Sequence, residues 1–325
     1  MAATTSTVLD RAPEPRARGF WRRLRAGEEI AYLIALSAAT LVLLIVGLLV
    51  YQLWISSRLS IHAFGFSFLT GTTWDPNAGQ FGALPFIYGT CVTSALALLI
   101  AVPLGVGASI FLAELAPPNA SNVMTFLIEL LAAVPSVIYG LLGIFVLVPL
   151  IHTYLAPFLT ATFGFLPLFQ GTFYGVSFLS AGIILSIMVA PFIISVSREV
   201  LYAVPTDQRE AALALGATKW EATWDIVIPN ARTGIMGSIF LALARALGET
   251  MAVTMVIGNT PAISASLYSP GYSIAAVIAN EFTEATGNLY LSSLIFLGLV
   301  LFGLTIVINA VARILILVTQ QKGAA

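Results

Sequence analysis

Charge is the scarcest commodity in this sequence. Asp, Glu, Lys and Arg make up 9% of its 325 residues, against roughly 25% in a soluble domain. A chain that poor in charge cannot cover a large water-facing surface, which excludes a soluble two-domain protein. Cysteine is nearly absent: Cys91 stands alone, so neither a disulfide within the chain nor a cysteine-built metal centre can form. The two histidines, His62 and His152, fall in predicted outer loops and read as solvated residues, not metal ligands. There is no Gly-x-x-x-x-Gly-Lys-[Ser/Thr] phosphate loop and no nucleophile–base arrangement. The chain is therefore not expected to be an enzyme, to hold a cofactor, or to bind nucleic acid. The alternating ~10-residue segments of a membrane β-barrel are missing too.

What fills the sequence is hydrocarbon. Apolar residues make up 59% of it, and several charge-free runs exceed the ~18 residues that mark a transmembrane helix. The expectation is an all-α polytopic membrane protein with six spans, near 30–55, 83–112, 123–150, 174–197, 229–258 and 289–318. The first run is too long for the core of a cleaved signal peptide. Residues 1–29, rich in Arg and Pro, read as a mostly disordered tail, and 319–325 as a short second tail. Residues 56–82 form an outer loop with turn residues at Trp74-Asp75-Pro76-Asn77-Ala78-Gly79, and 151–173 form an apolar loop. Pro103, Pro135 and Pro191 read as bends within spans. Placing both termini inside puts twelve Lys and Arg on the cytoplasmic side and only Arg58 outside, which sets the orientation as N-in and C-in.

Arg245 belongs to neither side. It lies near the middle of the fifth predicted span, and Glu249 follows one turn later on the same face. An unpaired charge at the bilayer centre costs at least ~2.5–3.5 kcal/mol. One reading is a structural ion pair. The other is that Arg245 faces a water-filled path and meets an anion, since a guanidinium fork matches phosphate oxygens. Glu249 would then keep the site from holding too tightly to release. Glu129, in the third predicted span, is a second expected buried carboxylate, with Arg245, Arg232 and the cytoplasmic interface all open as its destination.

The longest charged segment after the N-terminus is the elbow 205–229 between the fourth and fifth spans. Asp207 and Glu210 have capping-box spacing. Gly216 suits a left-handed helix stop, and Thr218 with Glu221 forms a second box. Pro229 is expected to end or re-aim that second helix before the bilayer. Ala211, Ala212 and Ala214 offer a smooth face that another backbone can approach, and Trp220 and Trp224 share a face. The elbow is either a handle for a partner protein or a rigid interfacial loop.

Glu210-Ala211-Ala212, Gly216 and Ile226-Val227-Ile228-Pro229 resemble, in type and spacing, the EAA loop of binding-protein-dependent ABC importer permeases, with Ile228 where that family usually has Leu. Arg245-Ala246-Leu247-Gly248-Glu249-Thr250-Met251-Ala252-Val253 is similar to the PstC group of phosphate-importer permeases within it. So are Thr73-Trp74-Asp75-Pro76 and Val134-Pro135-Ser136-Val137-Ile138-Tyr139-Gly140. The resemblance implies a type I ABC importer permease fold in a bacterial plasma membrane, with 205–229 as coupling segment and Arg245 and Glu249 as transport residues. It also implies a PstA-like sister permease, two copies of an ATPase subunit that uses ATP and Mg, and an external phosphate-binding protein meeting loops 56–82 and 259–288. Another oxyanion such as sulfate is the alternative substrate. An ATP-independent secondary anion transporter is the alternative class, though it has no use for such an elbow.

Overall fold

The structure, a computed structural model, describes residues 28–322. The predicted disordered tail, apart from its last residues, lies outside that range, as do 323–325. Six helices among the described residues are long and apolar enough to cross a membrane. The chain divides into two units, residues 1–55 and 56–325. The first contains nearly all of α1 (Glu28–Ser56), a run with no interior polar break.

The second unit opens with two short helices, α2 (Arg58–Phe64) and α3 (Ser67–Thr70), and a hairpin of β1 (Trp74–Asp75) with β2 (Gln80–Phe81). Asp75 shapes the hairpin turn, its carboxylate accepting from the N–H groups of Asn77 and Ala78 at 2.9 and 3.2 Å. Then follow α4 (Leu84–Leu115), α5 (Pro118–Ala132), α6 (Ser136–Phe163) and α7 (Phe178–Tyr202). The elbow holds α8 (Thr206–Ala214), and α9 runs from Lys219 to Leu247. The last elements are α10 (Met251–Ile257), α11 (Ile274–Glu281) and α12 (Asn288–Lys322).

The third and fifth predicted spans need correction. Residues 118–132 are not the start of a membrane span. They form the separate helix α5, stopped before Pro135, whose extended backbone caps α6. The span itself is 136–163, so most of the predicted apolar loop 151–173 is helix and His152 is on it. The fifth span does not run unbroken from 229 to 258: it starts ten residues earlier, at Lys219, and breaks at Gly248–Thr250. Pro229 does not end a helix but lies inside α9, just past a π turn at Thr223–Val227. Pro103 and Pro191 sit inside α4 and α7 without interrupting them.

α7 is the central helix, packed along α4, α9, α10 and α5. Phe178, Ala181, Ile184, Leu185, Val189 and Ile193 are fully buried on it. Its polar interior contacts are small hydroxyls: Ser197 and Ser238 of α9 share a 2.7 Å hydrogen bond, the kind of pair that lets membrane helices approach closely. Segment 259–273 folds back onto the start of α7, where the N–H groups of Phe178 and Leu179 donate to the carbonyls of Ser269 and Leu267. α11 follows it, with Ile274, Ala275, Ala276 and Val277 buried.

Candidate functional site

Two places hold the polar groups that composition singled out: the break after α9 and the elbow before it. At the break, Arg245 occupies the last turn of α9, not the middle of a long helix. Gly248 closes that helix with φ −94° and ψ 0°. Glu249 then turns to the next helix, its Oε1 accepting from the N–H of Ala252 at 3.2 Å in the first turn of α10. The expected placement of Arg245 and Glu249 on one continuous face therefore fails. Among the described residues the one ion pair within 4 Å is Arg209–Glu114, so Arg245 and Glu249 are not paired.

Each charge sits at the helix end whose dipole favours it, the cation at a C-terminus and the carboxylate at an N-terminus. That gain is about 0.3–1 kcal/mol per site, short of the ~2.5–3.5 kcal/mol that an unpaired charge costs at mid-bilayer. Arg245 is exposed, and no hydrogen bond from its guanidinium occurs within the described residues. The deficit has to be met from outside this chain, by water, an anion or a neighbour.

α6 packs against α10 beside this break. Gly140 makes the approach possible: a Cβ there would stand 3.3 Å from the Cα of Ala252 and 2.5 Å from the sulfur of Met255. Tyr139, buried and within electrostatic reach of Arg245, donates its hydroxyl to the carbonyl of Leu131 at 2.7 Å across the Pro135 break. Two interrupted helices thus meet next to Arg245. Tyr139 escaped the sequence reading, although it lies in a stretch that carried the resemblance.

Glu129 is not a buried carboxylate. It is exposed on α5, and no ion pair joins it to Arg245 or Arg232. The exposed face around it is apolar, with Phe126, Leu127 and Leu130.

The elbow is a helix, a glycine corner and a second helix. Asp207 does not cap the first, because α8 begins one residue earlier at Thr206, behind Pro205, with no side-chain cap. Asp207 instead lies in the first turn, where the dipole still favours a carboxylate, and Glu210 is exposed beyond it. α8 closes in a Schellman motif. Gly216, at φ +90°, donates its N–H to Leu213, and Ala217 donates to Ala212. The Thr218–Glu221 capping box is formed in both directions.

The alanine face is split. Ala212 is buried within this chain, whereas Ala211 and Ala214 are exposed. Leu215, at the corner, is 90% exposed. Trp220 and Trp224 meet edge to face at 5.6 Å, both about half exposed, and Pro229 is exposed on α9. Leu215 and the Trp220–Trp224 pair leave three large apolar side chains exposed in and just after the corner.

On the opposite side, Glu281 at the end of α11 accepts from Trp74 Nε1 at 2.8 Å and from the Tyr290 hydroxyl at 2.7 Å. One carboxylate thereby fastens the 74–81 hairpin to the start of α12. Beside it, Asn280 donates to the Tyr272 hydroxyl at 3.1 Å. Burial pushes that phenol up to about 12, which keeps it neutral.

Residues 105–317 match the family described as binding-protein-dependent transport system inner membrane component. A phosphate transport system permease protein PstC of Mesorhizobium japonicum is 48% identical over 93% of this chain and 94% of its own. One of Xylella fastidiosa is 45% identical over 98% and 99%. A probable PstC of the archaeon Methanocaldococcus jannaschii is 35% identical over 86% and 90%. In fold, a solved subunit of a bacterial ABC transporter for import of the acidic polysaccharide alginate aligns over 90% of this chain and 98% of its own, with TM-score 0.57 and 17% identity. A multi-pass architecture of six apolar helices, a glycine-cornered elbow and near full-length similarity agree: this chain belongs to the binding-protein-dependent transport system inner membrane components, on the PstC branch of that family.

Proposed function

We propose that this chain forms half of the transmembrane passage of an ATP-driven importer of inorganic phosphate. The observation that carries the reading is Arg245, a guanidinium left without a partner at the broken end of an apolar span. A phosphate oxygen pair satisfies such a fork in two parallel bonds, and the PstC-named relatives support that substrate over sulfate. The other half is a PstA-like permease, and an external phosphate-binding protein delivers the anion to loops 56–82 and 259–288. ATP and Mg belong to two copies of a separate ATPase subunit. These grip the elbow through Leu215, Trp220 and the exposed face of α8, which includes Asp207, Glu210 and Ala211. Both termini are placed in the cytoplasm, a reading that the distribution of basic residues supports.

Arg245→Gln tests the reading in proteoliposomes holding the assembled transporter. A charge-assisted hydrogen bond contributes about 1.5–3 kcal/mol, so phosphate uptake should fall roughly 10- to 100-fold with the complex still assembled. Near-normal uptake removes Arg245 from the passage. Sulfate uptake that competes equally with phosphate changes the substrate.

A further inference from the structure

Gln208 and Arg209 are neighbours on α8, and they reach different spans. Gln208 Oε1 accepts from Asn230 Nδ2 of α9 at 2.9 Å. Arg209 reaches the other way. Its Nη1 donates to the carbonyl of Val204 at 2.7 Å, and its Nη2 donates to the carbonyl of Leu201 at 2.6 Å and to Glu114 Oε1 at 2.9 Å. Leu201 and Val204 stand at the C-terminal end of α7, where a helix leaves carbonyls without intrahelical partners. Glu114 stands in the π turn that ends α4. The Arg209 and Glu114 side chains are only 18% and 11% exposed, so water screens the pair weakly.

Beneath the pair, Leu201, Val204, Val227, Ala231 and Ile235 form a separate apolar cluster, with Val106 and Ile110 of α4 packed on it. The inner ends of α4, α7 and α9 are thus joined to one another, and α8 lies over the joint. The chain itself joins α8 to α7 through 203–205 and to α9 through 215–218, and the neutral Gln208–Asn230 bond adds to the second link. The Arg209 guanidinium braces the 203–205 turn through the Leu201 and Val204 carbonyls and ties it to Glu114 of α4, and a planar fork with five donors suits three acceptors at once in a way that an ammonium does not.

We propose that Arg209 and Glu114 are the positioning pair that carries displacement of α8 into α4 and α7, so that all three spans move together when a partner moves the elbow. This rests on the reading of the elbow as the ATPase contact. α4 and α7 form the most extensive helix contact in the molecule, so moving their inner ends moves the body of the unit. Without the pair, α8 is joined to α7 through the unbraced 203–205 turn and keeps no salt bridge to α4 among the described residues.

The experiment uses the whole transporter reconstituted in proteoliposomes, with phosphate uptake and ATP hydrolysis measured together for Arg209→Gln, Glu114→Gln, the double variant and Arg209→Lys. The expected result is that the ATPase subunit co-purifies in the wild-type ratio and hydrolysis continues, while phosphate carried per ATP falls at least tenfold in each single Gln variant. The double variant is no worse than the worse single, because both remove one link. Arg209→Lys, keeping the charge, recovers part of the ratio. A wild-type transport ratio in both single variants overturns the proposal. So do an additive double variant and loss of the ATPase subunit from Glu114→Gln, the latter because it makes the pair a docking element. Should Arg209→Gln fail to assemble, Glu114→Gln decides alone, since it keeps side-chain shape and leaves Arg209 its two carbonyls. Uptake by the wild-type complex that needs no ATP overturns the elbow reading itself, and that failure shows in the wild type before any variant is compared.

Discussion

The corner at Gly216 permits a graded test of the elbow. Its φ of +90° lies in the region that side-chain-bearing residues avoid, yet a Cβ built there meets nothing within 4 Å. The cost of substitution is therefore backbone strain alone. For Ala that is roughly 1–2 kcal/mol, which lowers the ratio of bent to unbent elbows about 5- to 30-fold. Asn enters the left-handed region more readily and costs less, whereas a β-branched Val is a clear outlier there. If the bend presents Leu215 and Trp220 to the ATPase subunit, the apparent dissociation constant rises by the reciprocal of the competent fraction. Binding of purified ATPase subunit to the chain in nanodiscs should weaken in the order Gly, Asn, Ala, Val. Ala should fall below wild type by up to about 30-fold, and excess ATPase should restore full occupancy. Wild-type affinity for Val refutes the reasoning. So does an Asn variant as weak as Val, because side-chain bulk against the partner would then be the cause, not backbone strain.

Two further outcomes follow from packing. Gly140→Leu should force α6 from α10 and cost about 1–3 kcal/mol as overpacking, seen as a lower unfolding midpoint in detergent, with partial recovery when Met255→Ala makes room. An unchanged midpoint contradicts the close contact between Gly140 and Met255. Glu281→Ala strands the Trp74 and Tyr290 donors and should free the 74–81 hairpin, so limited proteolysis from the outer side should cut loop 56–82 several-fold faster. Equal rates would mean that packing of Trp74 on Phe81 and Phe86, at 4.9 Å between ring centroids in each case, holds the hairpin without the carboxylate.

Six apolar runs were legible because each window of hydropathy averages over a whole span, and the glycine corner because φ > 0 has few tenants. The Thr218–Glu221 box was legible for a similar reason: its partners are three residues apart and need no tertiary information. Hydropathy failed where one apolar window covered two helices. Val123 to Leu150 reads as one span, yet Pro135 separates α5 from α6 and takes Glu129 out of the membrane segment. Periodicity failed at Glu249, since i and i+4 share a face only while the helix lasts. Gly248 and Glu249 together spelled a stop and a new start, but inside an apolar run that spelling is outweighed. Asp207 lost its cap because α8 starts earlier, at Thr206 behind Pro205, whose fixed φ suits the entry to a helix although it has no side chain to cap it. Nothing local pointed to Arg209 and Glu114, which are 95 positions apart and meet only through the packing of α4 against α7.

Proline placement explains how the elbow and the membrane cation share one rod. Four π turns occur among the described residues, ending at Leu115, Leu147, Leu155 and Val227, and each is followed two residues later by a proline: Pro117, Pro149, Pro157 and Pro229. In each, the N–H just before the proline bonds five residues back, to Phe111, Gly143, Ile151 and Thr223 respectively. A proline ring in a helix collides with the carbonyl four residues earlier and supplies no N–H. At Pro149, Pro157 and Pro229 the widened preceding turn moves that carbonyl aside and the helix continues, whereas at Pro117 the helix ends. At Pro229 the result is a helix unbroken from Lys219 to Leu247, about 43 Å long at 1.5 Å per residue. Its first turns pack on α8 and its last turn carries Arg245. The chain then breaks at Gly248, one residue past that turn. On the reading of the elbow as the ATPase contact, a push there would reach the guanidinium through continuous helix, with the break at Gly248–Thr250 lying beyond it.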